Sequence, residues 1–242
     1  MANPRGAFDR EFSHEPVWGR ILVWLLAIAL ALLVMLAIVN TFNQARAASG
    51  SLFGWDEKRF DSIKPFTKWR GTLDRYFKER KLETGSCQSS LFNKCHLQDW
   101  QKFLAGLRGG EAMAQLDAVN RYMNRAPYII DPVNYGVPDY WATPMQFFAK
   151  DGDCEDYAIA KYLSLRALGW STEKMRIVVL QDENLRIAHA VLVVYHQGRT
   201  YVLDNQISQV VTDDRIAHYR PIYSINEQAW WLHQRRQTAQ AK

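Results

Sequence analysis

Nineteen successive residues, from Ile21 to Val39 (ILVWLLAIALALLVMLAIV), carry no charge; Arg20 stands just before them and the next charge comes only at Arg46. At about 1.5 Å of rise per residue, a helix of that length spans the hydrocarbon core of a bilayer. The run has no polar face, so it does not suit a helix at the surface of a soluble core. It is longer than the apolar centre of an ordinary secretory signal. Two fates stay open. The length favours retention as a signal anchor, while Ala45-Arg46-Ala47 offers small residues two apart for cleavage after Ala47. Arg5, Arg10 and Arg20 hold the N-terminus inside, and Asp9, Glu11 and Glu15 dilute that signal little. Either fate places the remainder of the chain outside the cytoplasm.

The run therefore divides the chain. Residues 1–20 form a cytoplasmic segment, 21–42 the transmembrane anchor or signal peptide, 43–55 a small-residue linker, 56–236 one domain and 237–242 a tail. With 48% apolar residues, 9 Trp and 11 Tyr, the domain can bury a sizeable core. The net charge of +5 lies partly in the N-terminal segment and the tail. No stripe of Lys and Arg interleaved with aromatics appears, which argues against a nucleic-acid partner.

There are 3 cysteines. Cys87 and Cys95 lie close together in SCQSSLFNKC, and in an oxidising compartment that spacing suits a local disulfide as readily as two free thiols. If they pair, Cys154 is left over, and an unpaired cysteine in an exported protein is a candidate reactive thiol.

The domain reads as α+β, a central helix packed on an antiparallel sheet and preceded by helices. Charges and aromatics over 56–82 predict one or two helices broken at Pro65, and further helices are expected over 97–107 and 112–124. Residues 127–149, with four prolines and a glycine, read as an irregular loop of functional length. DCEDYAIAKYLSLRAL, residues 153–168, is the clearest helix, with Asp153 as N-cap, Ala158, Ile159, Tyr162, Leu163 and Leu165 on its buried side, and Gly169 as its stop. Strand patterns follow at 175–180, 188–195 and 200–203, the last two joined as a hairpin through His196-Gln197-Gly198-Arg199. Residues 227–236 are expected to form a helix carrying Trp230 and Trp231.

Cys154 falls in the first turn of its helix, where the peptide dipoles favour a thiolate, the nucleophilic form. His189 lies on a strand and Asp204 ends the neighbouring one, so the two can sit side by side on the sheet. Nucleophile, base and orienting acid are the parts that acyl transfer needs. Taken singly, each residue has an ordinary structural explanation: packing for the cysteine, a satisfied polar group for the histidine, a turn for the aspartate. His14, His96, His196, His218 and His233 lack comparable context, and no CxxC or HxxxH spacing supports zinc. The backbone N–H of Cys154 is the expected oxyanion donor, and Trp141 is a candidate for the substrate groove or oxyanion site, or else a core anchor.

YGVPDYWATPMQFFAKDGDCEDYAIAKYLSLRALGW, then AHAVLVV, then YVLDN, resembles the bacterial transglutaminase-like cysteine peptidases of the LapG type, over roughly residues 55–235. The resemblance implies a papain-like, transglutaminase-like core, with Cys154 as nucleophile, His189 as base and Asp204 as third member. It also implies calcium dependence, with Asp153, Glu155 and Asp156 among the Ca²⁺ ligands and the others drawn from the 131–140 loop. Simple electrostatics agrees: carboxylates beside a sulfur raise its pKa, and a bound hard cation would cancel that penalty. The plainer explanation is that acids are favoured at any helix N-terminus, by roughly 0.3–1 kcal/mol each. The resemblance further implies a periplasmic endopeptidase that clips the N-terminal region of a large surface adhesin to release a biofilm cell. Its implied partner is an inner-membrane cyclic-di-GMP receptor that sequesters the protease. Two rival functions use the same fold: a transglutaminase or amidase acting on amines or cell-wall peptides, and a non-catalytic calcium-binding module.

Overall fold

The computed structural model describes residues 24–36, 51–80 and 94–235. Residues 24–36 form helix α1, whose large apolar side chains are exposed. It belongs to a unit separate from the domain that follows. Among the described residues no helix is long and apolar enough to cross a membrane. The rest of the expected 21–42 segment lies outside the described residues, as do Cys87 and the side chain of Cys95.

The domain opens with strand β1 (Asp56–Phe60) and then runs through helices α2 (Thr67–Glu79), α3 (Lys94–Leu107), α4 (Ala112–Met123), α5 (Asp131–Asn134), α6 (Pro144–Lys150) and α7 (Cys154–Ala167). Six strands follow: β2 (Met175–Asp182), β3 (Ile187–His196), β4 (Arg199–Leu203), β5 (Val211–Thr212), β6 (Tyr219–Ile225) and β7 (Trp230–Gln234). They form one antiparallel sheet in the order β1-β7-β6-β2-β3-β4-β5. This is the expected α+β architecture, with corrections: residues 127–149, expected as an irregular loop, hold the short helices α5 and α6, each started by a proline in its first turn. Asp56–Phe60 is a strand rather than part of a helix, and Trp230–Gln234 is a strand where a helix is expected over 227–236. The two strand errors share one cause. β1 and β7 pair with each other, Asp56 opposite Gln234 and Phe60 opposite Trp230, a partnership across nearly the whole domain that local periodicity cannot register. Phe60 stacks on Trp230 at 4.3 Å, a cross-strand aromatic pair of the kind that stabilises sheets.

Helix α7 is buried on every side from Asp156 to Leu165, not along one face alone. The helices α4 and α6 cover one side and the strands β2 and β3 the other. Its far end closes as expected: Gly169, at φ +96°, turns the chain so that Trp170 N–H reaches Leu165 O and Gly169 N–H reaches Arg166 O. Polar groups tie the helix layer together. Trp100 Nε1 donates to Ser164 Oγ at 2.8 Å, and Trp69 Nε1 to Asn226 O at 2.9 Å. The central helix is thus fixed along its length, and its N-terminus meets the sheet at the start of β3.

Candidate active site

His189 is the third residue of β3, opposite Leu180 of β2. Asp204 follows directly on the end of β4, whose Leu203 pairs with Leu192. The two side chains are 2% and 1% exposed as residues, and His189 Nε2 lies 2.9 Å from Asp204 Oδ1. The same carboxylate oxygen accepts from Gln206 N–H at 2.9 Å. The other accepts from Tyr219 Oη at 2.5 Å. Asn124 Nδ2 holds the Asp204 backbone carbonyl at 2.7 Å. Burial pushes the Asp204 pKa upward, yet the hydrogen bond and charge of His189, with the bonds from Tyr219 and Gln206, outweigh it and keep the carboxyl below its usual range. A carboxylate only accepts, so His189 carries its proton on Nε2 and presents the lone pair of Nδ1. Gln206 Nε2 stands 3.5 Å from that nitrogen.

Cys154 begins α7. Its sulfur is flanked by carboxylates, and the thiol donates to Glu155 Oε2 at 3.2 Å. Burial, then the charge and hydrogen bond of Glu155, then Asp153, drive its pKa well above the ordinary thiol value. The backbone N–H of Ala190, next to His189 on β3, acts in the opposite sense. Among the described residues the sulfur makes no hydrogen bond to His189. Asp153 occupies the N-cap position as expected, but its side chain caps nothing. It turns away to accept from Asp131 N–H at 3.3 Å.

That turn is explained by a knot of acids. One oxygen each from Asp131, Asp153 and Asp156, and likewise from Asp131, Asp139 and Glu155, lie within 4.8 Å of one another. Asp131, Asp153 and Asp156 are buried. Asp131 Oδ2 accepts from Tyr140 N–H, and Asp156 Oδ1 from Ala142 N–H at 2.6 Å. The remaining oxygens, Asp131 Oδ1, Asp153 Oδ1 and Asp156 Oδ2, are buried without a partner. Burial, reinforced by neighbouring acids, raises the pKa of Asp131, Asp153 and Glu155, and lifts Asp156 to about 8. Orphaned buried carboxylate oxygens at this density could hold a metal ion, and their chemistry suits a hard cation such as Ca²⁺. The loop that brings Asp131 to the helix is held by Ile129 N–H donating to Gly152 O at 2.9 Å. Gly152 has to be glycine here, because a Cβ would sit 2.3 Å from Asp156 Oδ2.

The structure therefore joins His189 to Asp204 and gathers Asp153, Glu155 and Asp156 with Asp131 and Asp139 of the 131–140 loop. Of the readings open for it, Trp141 takes the core anchor and not the groove or oxyanion site. It is 7% exposed, lies in the core edge-on to Trp69, and its carbonyl accepts from Thr72 Oγ1 at 2.7 Å and Arg75 Nη2 at 2.5 Å. Sequence reasoning missed Tyr219 and Gln206. Gln206 stands two residues beyond Asp204, where a register continued past β4 would have found it. Tyr219 opens β6, with β2 and β3 between it and β4 in the sheet, and no local pattern marks it.

A sequence model of the bacterial transglutaminase-like cysteine proteinases (BTLCP) matches residues 86–237. Among solved structures, Legionella pneumophila LapG is 28% identical, with a TM-score of 0.54 over 66% of this chain and 87% of that one. Its calcium-bound form is 27% identical, with a TM-score of 0.55 over 71% of this chain and 93% of that one. An EGTA-treated form matches at 28% identity, with a TM-score of 0.54 over 66% and 85%. A search among curated proteins finds no match. The chain belongs to the bacterial transglutaminase-like cysteine proteinases.

Proposed function

We propose that this chain is a periplasmic, calcium-dependent cysteine endopeptidase that cuts the N-terminal region of a large cell-surface adhesin and so frees the cell from a biofilm. The observation that carries the reading is the buried His189–Asp204 bond, set on the strand against which the Cys154 helix packs. In this reading His189 Nδ1 takes the thiol proton as Cys154 Sγ attacks the scissile carbonyl carbon, and the imidazolium then returns that proton to the leaving amine. Water, deprotonated by the same nitrogen, hydrolyses the thioester. Asp204 stays ionised and holds the ring in the productive tautomer. The backbone N–H at Cys154, at the start of a long helix, faces the developing oxyanion. Asp131, Asp153, Glu155 and Asp156 would hold the calcium ion, with Asp139 beside them. Bound there, the ion would neutralise the carboxylates that keep the thiol protonated and would fix the start of α7.

The apolar run at 21–39 supports an exported protein held at the inner membrane. The adhesin substrate and the sequestering cyclic-di-GMP receptor come from the family resemblance. Incubation of the full chain with an N-terminal adhesin fragment tests the reading. Cleavage is expected with Ca²⁺, lost in EGTA, restored by Ca²⁺ but not Mg²⁺, and absent in a folded Cys154→Ala protein. Undiminished cleavage by Cys154→Ala would overturn it, and a cross-linked product with a labelled amine, in place of two fragments, would make the enzyme a transglutaminase.

A further inference from the structure

The segment that follows β4 reaches both nitrogens of the His189 ring. Asp204 Oδ1 stands 2.9 Å from Nε2, and the same oxygen accepts from the Gln206 backbone N–H at 2.9 Å. That side-chain turn pins the Gln206 backbone beside the ring. The Gln206 amide then comes round to the other nitrogen, with Nε2 3.5 Å from His189 Nδ1. Nδ1 carries the lone pair, so an N–H rather than a carbonyl oxygen belongs opposite it. Two features set this contact apart from one that merely supports the fold. His189 and Asp204 are buried whereas Gln206 is exposed, so the amide approaches from the solvent side of the pair. A separation of 3.5 Å is also the outer limit of a hydrogen bond, so the amide is aimed at Nδ1 without closing on it. Among the described residues the amide makes no other hydrogen bond.

We propose that Gln206 is a further catalytic residue, whose Nε2–H holds the hydrolytic water on His189 Nδ1 and so directs the acyl-enzyme to hydrolysis rather than to transfer onto an amine. The inference rests on the reading of Cys154, His189 and Asp204 as a catalytic set. Lone pairs decide the preference. A water on Nδ1 donates one O–H to the ring nitrogen, accepts from Gln206 Nε2–H with one lone pair, and attacks the thioester carbonyl carbon with the other. The C–O bond forms as the water proton passes to Nδ1. When the tetrahedral intermediate collapses, the C–S bond breaks and that proton goes to the departing sulfur, leaving a carboxylic acid and the free thiol of Cys154. A neutral primary amine has a single lone pair. Once that pair attacks the carbon, nothing remains to accept from Nε2, and the donor is left without its partner. Gln206 therefore favours water, and its substrates are chains to be cut rather than joined.

The test follows both halves of the reaction in the full chain loaded with Ca²⁺, acylated by p-nitrophenyl acetate in the presence of glycinamide, with Cys154→Ala as the blank. Release of p-nitrophenolate reads acylation. Acetate and N-acetylglycinamide, separated by mass spectrometry, read the two fates of the acetyl-enzyme. The phenolate leaves without needing a proton, so Gln206→Leu is expected to acylate at the parent rate. Its deacylation in water should slow about fivefold, and its ratio of amide to acetate should rise about fivefold, the worth of one net hydrogen bond. Gln206→Ala serves if Gln206→Leu does not fold. An unchanged ratio would overturn the proposal. So would acylation and deacylation slowed alike, the mark of an oxyanion donor, or acylation quickened, the mark of a cap on the base. A parent that is not acylated at Cys154 would sink the peptidase reading and this inference with it. A parent that hydrolyses its acetyl-enzyme, beside a Gln206→Leu protein with the same product ratio, would sink this inference alone.

Discussion

Two polar regions meet at the start of the central helix, and they are built on opposite plans. On the sheet, Asp204 has every oxygen engaged: His189 and Gln206 on one, Tyr219 on the other, Asn124 on its carbonyl. At the helix start, three aspartates each leave a buried oxygen without a partner. The first region is complete in the protein alone. The second is complete only with something positive added. The difference teaches why one carboxylate is held below its usual pKa and its neighbours above theirs, although all are buried. It also teaches that the thiol, which sits in the second region, inherits its frustration.

The largest expected effect breaks the finished side. Asp204→Asn removes the acceptor that fixes the His189 tautomer, and kcat should fall by about 10⁴-fold. Calcium affinity, measured by titration calorimetry, should be unchanged, because the acid knot does not share Asp204. A parallel loss of calcium binding would show that the two regions are one. On the unfinished side, Asp131 contributes to both groups of acids. Asp131→Asn should weaken Ca²⁺ by roughly 10- to 100-fold while leaving kcat at saturating Ca²⁺ near the parent value.

A smaller effect concerns pH. In the calcium-free protein the acids of the knot have folded-state pKa values above those of the unfolded chain, about 8 against 3.8 for Asp156. The folded state therefore binds more protons than the unfolded state between those limits. The stability this confers is fully present below the ordinary carboxylate pKa and is lost as pH rises through the folded value. Melting temperature in EGTA should fall from pH 5 to pH 8, and excess Ca²⁺ should flatten the trend. A melting temperature that rises over that range in EGTA would contradict the charge assignment.

The finished region was far more legible in the sequence than the unfinished one, for physical reasons. The 153–168 helix announces itself by its first-turn acids and its Gly169 stop. β3 and β4 are short, β-branched and apolar runs around a Gln197-Gly198 turn whose φ angles of 48° and 74° are those a two-residue hairpin requires. Once helix and hairpin are drawn, His189 and Asp204 have little choice but to meet. The acid knot depends instead on Asp131, 22 residues before Asp153 and on the far side of an irregular loop. The sequence narrows that partner to a stretch of ten residues but carries no periodicity to select it. β1 and β7 fail for the same reason on a larger scale, since β1 pairs with β7 from the opposite end of the domain and β7 lies between β1 and β6. Tryptophans make the point from the core. Trp230 and Trp231 read as a helical pair, yet alternate across a strand, Trp231 buried and Trp230 stacked on Phe60. Trp141, next to the acid loop, is open to a groove or an anchor role in sequence and is an anchor in space.

The most direct test of the contrast between the two regions is the rate at which Cys154 reacts with iodoacetamide at neutral pH, with and without calcium. Neutralising the carboxylates around the sulfur should release the thiolate, so the rate should rise at least tenfold when Ca²⁺ replaces EGTA, an order of magnitude that one pKa unit supplies. Mg²⁺ should not substitute, and Asp204→Asn should keep the calcium response. Equal alkylation rates in EGTA and Ca²⁺ would mean that the acids at the helix start do not govern the nucleophile.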